Sequence, residues 1–439
     1  MLIVSGLLIV ELWVFYRYLK DRRSLKAKGF DDPVYPTMRP AIFLFLVSID
    51  LCMAIIPLHM QRLSDSTDGA LFAWLIGLPI SAEFLCVGVA LLLGGIWADR
   101  SGWRAPFIAG LITAFLGMTL SFLAKDPITF IVSRAIVGLG YGLVALSAQT
   151  FVIQHAGEQK RSQGLSHLFA GLYSGSICGA ALGAFIADVW GYQRVFEVSL
   201  LSVAAIGFYF LFVLSRLPVT AQKTQNKRVE PPKSGALKPF LLDHRVMAAV
   251  LFSSMPASIA VVGLLNYFSP LYLNDQSISE TVIGQIVMLF GVVLTLLGPT
   301  AGKLTDEYLG CRKAMLLGSV IGACAFLIFS VSQSMYALII SIVILGVSNS
   351  LVLASQSTYV LSLPSAKALG TGKVLGIFRS TSRIGQMLGP MIFSVIYLSA
   401  DMSYALVQFG LIYLVCIACF ALLTRPRAYV SDSFTKEVP

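Results

Sequence analysis

Long apolar runs alternate along the chain with short polar turns or turns that contain proline or glycine. Each run holds about 20 residues, which at a rise of ~1.5 Å per residue is enough for an α-helix to cross a ~30 Å hydrocarbon core. The pattern predicts twelve membrane-spanning helices, near residues 40–60, 72–97, 105–124, 128–153, 163–187, 195–215, 246–272, 281–301, 314–333, 335–361, 372–398 and 403–424.

One more apolar run precedes these twelve. It is the segment MLIVSGLLIVELWVFYRYL, with Glu11 at its centre, and it leads into the basic stretch KDRRSLKAK. A cleaved signal peptide is the alternative, but the segment lacks the basic front and the small-residue cleavage site of such peptides. We therefore expect an additional N-terminal transmembrane helix with a basic linker over residues 1–39.

Composition places the chain outside the soluble globular proteins. Hydrophobic residues make up 57% of it and charged residues 12%, which predicts an all-α polytopic membrane protein. Its seven cysteines and four histidines show no metal-ligand spacing, and no phosphate-binding G-x-x-x-x-G-K-[ST] motif occurs. The sequence therefore predicts no enzyme, no metal, no bound cofactor and no ATP-driven pump.

The basic residues are distributed unevenly between the two sides of the membrane. If the spans alternate, 26 of the 32 lysines and arginines fall on one side, whereas only Arg62, Lys125 and Arg194 fall on the other. Lysine and arginine accumulate in cytoplasmic loops, so the basic side is expected to be cytoplasmic and the extra helix to begin outside. The formal net charge of +10 is then a topology signal, and no nucleic-acid partner is expected.

A polar segment rich in Pro, Lys and Gln divides the twelve spans into two sets of six. An internal repeat supports this division: GIWADRSGWR from Gly95 recurs as GKLTDEYLGCRK from Gly302, and GSICGAALGA from Gly175 is weakly repeated as GQMLGPMIFS from Gly385. Two pseudo-symmetric six-helix bundles are therefore expected. The predicted order is an N-terminal bundle at 40–215, a cytoplasmic linker at 216–245, a C-terminal bundle at 246–425 and a cytoplasmic tail at 426–439.

The turn after the second span carries a recognisable motif. The pattern G-x-x-x-D-R-x-G-x-R is formed by Gly95, Asp99, Arg100, Gly102 and Arg104, and its second copy keeps Gly302, Asp306 and Arg312 but has Glu307 where arginine is common. With two sets of six spans and a basic central segment, the chain resembles the major facilitator superfamily of secondary transporters over about residues 40–425. The resemblance implies that the motif holds the halves together on the cytoplasmic side, with Asp99 facing the start of the eleventh helix near Gly372. The alternative is that these charges only anchor helix ends at the lipid headgroups.

The fourth span carries a second motif. In RAIVGLGYG, Arg134 followed by Gly138 and Gly140 resembles a signature of proton-linked exporters in this superfamily. The fifth span matches the exporters' glycine spacing, but Ala180 stands where a proline is expected. The chain therefore resembles most the drug/proton antiporter-type exporters, and Arg134 is a candidate coupling residue. An arginine that snorkels to the headgroups is the alternative.

Few ionisable residues lie at bilayer depth, where a charge is costly and usually lines a cavity or has a partner. Asp50 falls near the middle of the first span and Glu83 near the middle of the second, while Arg379 and Arg383 stand four apart on one face of the eleventh. Burial favours the uncharged form of a carboxyl group, so Asp50 is the candidate proton site. A structural, hydrogen-bonding carboxylate is the alternative.

The resemblance also implies a neighbour for Glu83. In the superfamily fold the second and eleventh helices meet at the interface between the bundles, and depth counting places Glu83 and Arg383 near the middle of the membrane. We therefore expect an ion pair between them that breaks during transport and acts as a gate. Arg379 would then attract an anionic substrate group or a second acid. The alternative is that both arginines contact only backbone or headgroup partners.

These features predict a secondary active transporter that moves a small organic solute by alternating access, as a proton-coupled exporter working by antiport. Two alternatives stay open. The arginine pair favours uptake or exchange of an organic anion, including proton symport, and the extra helix favours a non-transporting sensor or scaffold. The expected partners are a small-molecule substrate, protons and the lipid bilayer, in a monomeric multi-pass protein of the bacterial inner membrane.

Overall fold

The computed structural model describes residues 38–64, 70–155, 157–212, 237–367 and 371–425. Every regular element in these ranges is helical, and nine of the helices found there are long and apolar enough to span a membrane. The predicted N-terminal helix, most of the linker and the whole of the tail lie outside the described residues.

The described residues form twelve main helices in two halves, and the nine that are long and apolar enough to span a membrane are among them. In the first half, α1 comprises Met38–Asp50 and Ile56–Leu63, and it is followed by α2 (Ala70–Ser101), α3 (Arg104–Leu123), α4 (Pro127–His155), α5 (Gly157–Trp190) and α6 (Tyr192–Phe212). In the second half the spans are α7 (His244–Asp275), α8 (Glu280–Leu304), α9 (Cys311–Leu327), α10 (Met335–Ser362), α11 (Thr371–Leu398) and α12 (Met402–Leu423). Two short helices, Leu237–Leu241 and Pro364–Lys367, precede α7 and α11. The end of the molecule with the α2–α3 and α8–α9 connections is called the inner end, and the end with the α5–α6 and α7–α8 connections the outer end.

α1 is interrupted at the level of Asp50. Pro57 has no backbone N–H to donate to the carbonyl of Met53, and a proline disfavours helical geometry in the residue before it. The backbone tightens ahead of the proline, with Met53 N donating to Asp50 O at 3.1 Å and Ile55 N donating to Cys52 O at 3.0 Å. An acidic side chain therefore lies where the regular part of the helix ends.

α7 widens twice along its length, at Val250–Ser254 and at Gly263–Phe268, where the backbone forms π-helical turns. Pro256 follows the first of these turns and Pro270 follows the second. Each proline removes a backbone donor, and a local change to wider turns lets the freed carbonyls find other partners. The 32-residue span thus accommodates both prolines without a break.

Glycine faces set how closely the helices of each half approach one another. On α5, Gly175 and Gly179 point at the backbone of α1, and a Cβ on Gly179 would lie 2.7 Å from Val47 O. On α11, Gly385 points at α7, where a Cβ would lie 2.9 Å from Met255 O. Small residues at four-residue spacing let two helix backbones touch. The weak sequence repeat that begins at Gly175 and Gly385 therefore marks the same type of helix contact in both halves.

The two halves meet along two seams, α2 against α11 and α5 against α8. Polar contacts join the outer end of the second seam. Thr281 Oγ1 donates to Asp188 at 2.6 Å, and the Tyr192 hydroxyl donates to Glu280 at 3.0 Å. Arg62, at the outer end of α1, lies 3.8 Å from the Glu280 carboxylate. These side chains close the outer end between the halves.

Candidate functional site

An arginine and a glutamate form an ion pair at the centre of the first half. Arg134 on α4 donates from Nε and Nη2 to Glu83 Oε2 on α2, at 3.0 and 2.6 Å. Both residues are buried, with 0% and 1% of their surface exposed. Removing each charge from water costs several kcal/mol, and close, hydrogen-bonded pairing offsets that cost. Arg134 thus points into the bundle, where its carboxylate partner lies, and not toward the headgroups.

A glycine one turn along α4 makes this pair possible. Gly138 lies where α4 crosses α2, and a Cβ at this position would stand 2.2 Å from the carbonyl oxygen of Glu83. A residue without a side chain is needed for so close a backbone approach. Residues four apart share one face of a helix, so Arg134, one turn before Gly138, lies alongside the Glu83 side chain.

The corresponding crossing in the second half carries apolar side chains. Gly346 on α10 packs on α8, where a Cβ would lie 3.1 Å from Phe290 O, and the buried Ile342 stands one turn before Gly346. Phe290 and Ile342 thus take the places of Glu83 and Arg134. Because apolar residues hold the second crossing together, packing alone does not require an ion pair in the first. The pair is therefore a functional candidate.

The third guanidinium nitrogen of Arg134 donates to sulfur. Nη1 lies 3.2 Å from Cys52 Sγ, in the interruption of α1, and 3.7 Å from Met118 Sδ on α3. Thiols and thioethers are weak acceptors, so these two bonds hold Arg134 less firmly than its bonds to Glu83. One side chain nevertheless connects α4 with α1, α2 and α3.

Asp50 lies beside this pair. It is buried, with 6% of its surface exposed, the Ser176 side chain on α5 lies close to its carboxylate, and it interacts electrostatically with Glu83, Arg134 and Arg383. The close contact of α5 with α1 brings Ser176 within reach. We call Asp50, Glu83, Arg134 and Arg383 the charge network, which unites side chains from α1, α2, α4 and α11.

The expected ion pair between Glu83 and Arg383 is not formed in this structure. Arg383 Nη1 instead donates to Gln386 Oε1 at 2.6 Å. A Cβ on Gly88 would lie 3.3 Å from Arg383 Cβ, so Arg383 faces α2 five residues, or about 7.5 Å, beyond Glu83. Counting residues into each helix does not determine how α2 and α11 are aligned along their lengths. Arg134, from the same half as Glu83, already forms an ion pair with the Glu83 carboxylate.

The amino-acid sequence matches the family model described as Major Facilitator Superfamily over residues 40–279 and 251–438. The chain belongs to the major facilitator superfamily. It is 25% identical over 393 residues to the Multidrug resistance protein MdtG of Klebsiella pneumoniae (strain 342), covering 89% of this chain and 93% of that protein. It is 27% identical over 352 residues to the MdtG protein of Salmonella choleraesuis (strain SC-B67), covering 80% of this chain and 85% of that protein.

Solved structures show the same fold. The POT family transporter PepTSo matches with a TM-score of 0.70 and 13% sequence identity, covering 89% of this chain and 97% of that one. A bacterial homolog of the human lysosomal transporter Spinster, in an inward-facing and occupied conformation, matches with a TM-score of 0.70 and 14% identity, covering 89% and 96%. The predicted all-helical polytopic fold of this superfamily is thereby confirmed. Family membership also confirms a multi-pass membrane transporter of the secondary type, with a small-molecule substrate and no enzymatic role.

Arg379 lies between the two halves of this superfamily member. From α11 its Nη1 donates to Gln149 Oε1 on α4 at 3.4 Å, and its guanidinium lies 4.7 Å from the ring centre of Phe169 on α5. No carboxylate in the described part of the chain forms an ion pair with it. Toward the inner end, Gly376 is exposed and a Cβ there would meet no atom within 4 Å. Arg379 itself is only partly buried.

Both copies of the superfamily loop motif turn at a glycine. Gly102 has φ +76° and Gly310 has φ +71°, which is the left-handed region where residues with a Cβ are strained. The expected tight turns are present after α2 and after α8. The side chains of Asp99, Arg100 and Asp306 lie outside the part of the chain that the structure describes, so their role between the halves stays a prediction.

The last arginine of each motif copy has a defined position. Arg104 lies beside the buried Trp103, with its guanidinium 5.7 Å from the ring centre. Arg312 donates from Nη2 to Ala421 O at 2.8 Å and from Nε to Thr424 Oγ1 at 3.0 Å, at the C-terminal end of α12. A cation at this position satisfies a terminal carbonyl and opposes the negative end of the helix dipole. The second copy thus attaches α9 to α12 within one half.

Ser176, Cys52 and Met118 are among the side chains that lie against the charge network without having been predicted from the sequence. Ser176 could have been found, because it lies within the four-residue glycine spacing of α5 and faces α1. Cys52 follows Asp50 by two residues in the segment that Pro57 interrupts, and it resembles an ordinary apolar position. Met118 has no distinguishing signal, because the thioether contact depends on how α3 packs against α4.

Proposed function

We propose that this chain is a proton-coupled secondary transporter of the bacterial inner membrane that exports a small organic solute by alternating access. The observation that carries the proposal is the charge network. Within it, Glu83 is bonded directly to Arg134, whereas Asp50 is in no ion pair of the described residues and has the neutral Ser176 beside it. Protonation of Asp50 therefore breaks no ion pair, and Asp50 is assigned as the proton-coupling residue.

The outward direction is supported by the relatives, which are named multidrug resistance proteins. The proposal includes the organisation expected from the sequence: bundles at 40–215 and 246–425, joined by a cytoplasmic linker at 216–245 and followed by a cytoplasmic tail. A cysteine placed in the linker should react with a membrane-impermeant maleimide only after the cells are opened. Labelling of intact cells would contradict this orientation.

The contacts between the halves support an inward-facing starting state. Two hydrogen bonds, Thr281 to Asp188 and Tyr192 to Glu280, join the halves at the outer end, while a Cβ on Gly376 toward the inner end of α11 would meet no atom within 4 Å. In the proposed cycle Asp50 releases its proton toward the inner end and the solute binds between the bundles. Rocking of the halves then separates the outer contacts, and Asp50 is protonated from outside after the solute has left.

The test measures proton movement directly. Proteoliposomes that contain the purified chain and the pH-sensitive dye pyranine are given panels of organic cations, neutral compounds and anions, with and without a pH gradient. An active solute should move protons in the wild type, whereas Asp50→Asn should abolish this coupled flux and keep exchange of the same solute without a gradient. Asp126→Asn is the matched control, since Asp126 is an exposed residue that caps α4 through Thr129 N at 2.9 Å and Asn serves equally well as a cap. An unchanged proton flux in Asp50→Asn would exclude the assigned role.

A second candidate function is uptake or exchange of an organic anion. Arg379 favours it, because this cation lies between the halves without an ion-pair partner in the described residues. Anion-driven proton movement into the liposomes, in the same assay, would identify it. Membership of a transporter superfamily leaves the non-transporting sensor or scaffold without support.

A further inference from the structure

Among the described residues, the charged side chains at the centre of the molecule carry an excess of positive charge. Asp50 and Glu83 are the acids of the charge network, and Arg134 and Arg383 balance them. Arg379, on the same face of α11 as Arg383, adds one more cation. A partly buried guanidinium without a counter-ion is costly in a membrane protein and usually marks a binding site or a conduction path.

The surroundings of Arg379 are aromatic and polar. Phe169 and Tyr173 stand four residues apart on α5, on one helix face. Phe169 lies under the guanidinium, with its ring centre 4.7 Å away, and Tyr173, one turn along α5, is 38% exposed. Gln149 supplies the one hydrogen-bond acceptor that the structure shows for Arg379, at the long distance of 3.4 Å. The guanidinium therefore keeps most of its five N–H donors for another partner.

Planar guanidinium donors match a carboxylate or sulfonate with two parallel hydrogen bonds. The exposed ring of Tyr173 beside Phe169 offers a flat apolar surface next to that position. An inorganic anion would use the charge of Arg379 and leave the rings without a role, and an organic cation would be repelled by it. A compound that joins an acidic group to a flat apolar body uses both features.

We propose that the solute site takes organic anions, with the acidic group on Arg379 and an aromatic body on Phe169 and Tyr173. The site is formed by both halves, since Arg379 comes from α11 and the rings come from α5. The proposal rests on the proposed transport function and specifies the chemical class of its solute.

The test is equilibrium binding to the purified full-length chain in detergent, which needs no transport. Three probes share one ring system and differ in charge: 1-naphthoate, 1-naphthamide and 1-naphthylmethylammonium. The wild type should bind the carboxylate roughly ten-fold more tightly than the amide, the range expected for one charge-assisted contact, and the ammonium least. Arg379→Gln should weaken naphthoate by about ten-fold and change naphthamide by less than about three-fold.

Further variants test whether the charge of Arg379 or its planar arrangement of donors determines naphthoate affinity, and whether each variant is still folded. Arg379→Lys keeps the charge but not the planar pair of donors, so its naphthoate affinity should fall between those of wild type and Arg379→Gln. Phe169→Leu should weaken the carboxylate and the amide alike. Arg194→Gln, at the exposed outer surface, is the control and should match the wild type, and unchanged thermal unfolding of each variant verifies the fold.

Equal binding of the three probes, preference for the ammonium, binding of none of them, or an unchanged naphthoate affinity in Arg379→Gln would each overturn the anion site. Those results leave the pyranine experiment unaffected, because a cation or a neutral compound can still drive proton flux there. Conversely, selective naphthoate binding without proton flux for any solute would support the site and overturn the proposed coupling.

Discussion

Replacing Glu83 and replacing Arg134 in their buried ion pair should destabilise the protein by different amounts. Arg134→Met leaves a buried carboxyl group, which can become neutral by taking up a proton. Glu83→Met leaves a buried guanidinium, which stays charged and has only the sulfur acceptors of Cys52 and Met118 from its present contacts. Glu83→Met should therefore be the more destabilising of the two single variants.

The magnitude follows from the geometry. Two hydrogen bonds of 3.0 and 2.6 Å join the charges in a site closed to water, and removing one partner of such a pair costs about 3–5 kcal/mol. For bundles of this size that corresponds to a fall in Tm of roughly 6–20 °C. The double variant Glu83→Met with Arg134→Met should recover most of the loss, because the matching crossing in the second half is packed with Phe290 and Ile342 in these places and no ion pair between them.

Thermal unfolding of the purified variants, followed by loss of the monodisperse peak in size-exclusion chromatography, is the assay. Arg194→Met is the control, since Arg194 forms its ion pair with Glu197 at the surface, and such pairs contribute at most about 1 kcal/mol. If the loss in the double variant equals the sum of the two single losses, the residues are not coupled and the reasoning is refuted. A stable double variant without proton-coupled flux would show that the pair serves transport.

Two further predictions concern contacts between helices. Gly138→Ala should lower both Tm and transport, because the added Cβ would press on the Glu83 carbonyl. Gly207→Ala is the control and should leave both unchanged, since no atom lies within 4 Å of its added Cβ. Equal effects of the two substitutions would show that α4 can move away from α2 without loss of stability or transport. Asp188→Ala removes the hydrogen-bond acceptor of Thr281 at the outer end. It should therefore raise the rate of hydrogen–deuterium exchange at the outer ends of α5 and α8, and an unaltered rate would contradict this prediction.

The spans were predictable because each must satisfy its own backbone within an apolar length. The run expected at 72–97 is the core of α2, and the run expected at 105–124 differs from α3 by one residue at each end. The interruption of α1 has a local signal in Pro57. Because these features depend on residues that are close in sequence, the local pattern is sufficient to predict them.

The partner of Glu83 was not predictable in the same way. Two helices, α4 and α11, bring arginines toward one depth, and residue counting cannot choose between Arg134 and Arg383. The choice depends on the register of α2 against α4 and against α11, which is set by Gly138 in one case and by Gly88 in the other. Both glycines are visible in the sequence, but which helix each one faces is decided only when all spans are packed together.

The unequal crossings of α2 with α4 and of α8 with α10 bear on how such a protein diversifies. A gene duplication first produces two equivalent copies, and here one copy holds the ion pair while the other holds Phe290 and Ile342 at the same place. In the proposed mechanism, the proton site at Asp50 and the ion pair beside it then lie in one copy. Selection can then alter side chains on the other copy, including Arg379 and other α11 residues outside the charge network, and shift the range of accepted solutes while the ion pair is inherited unchanged.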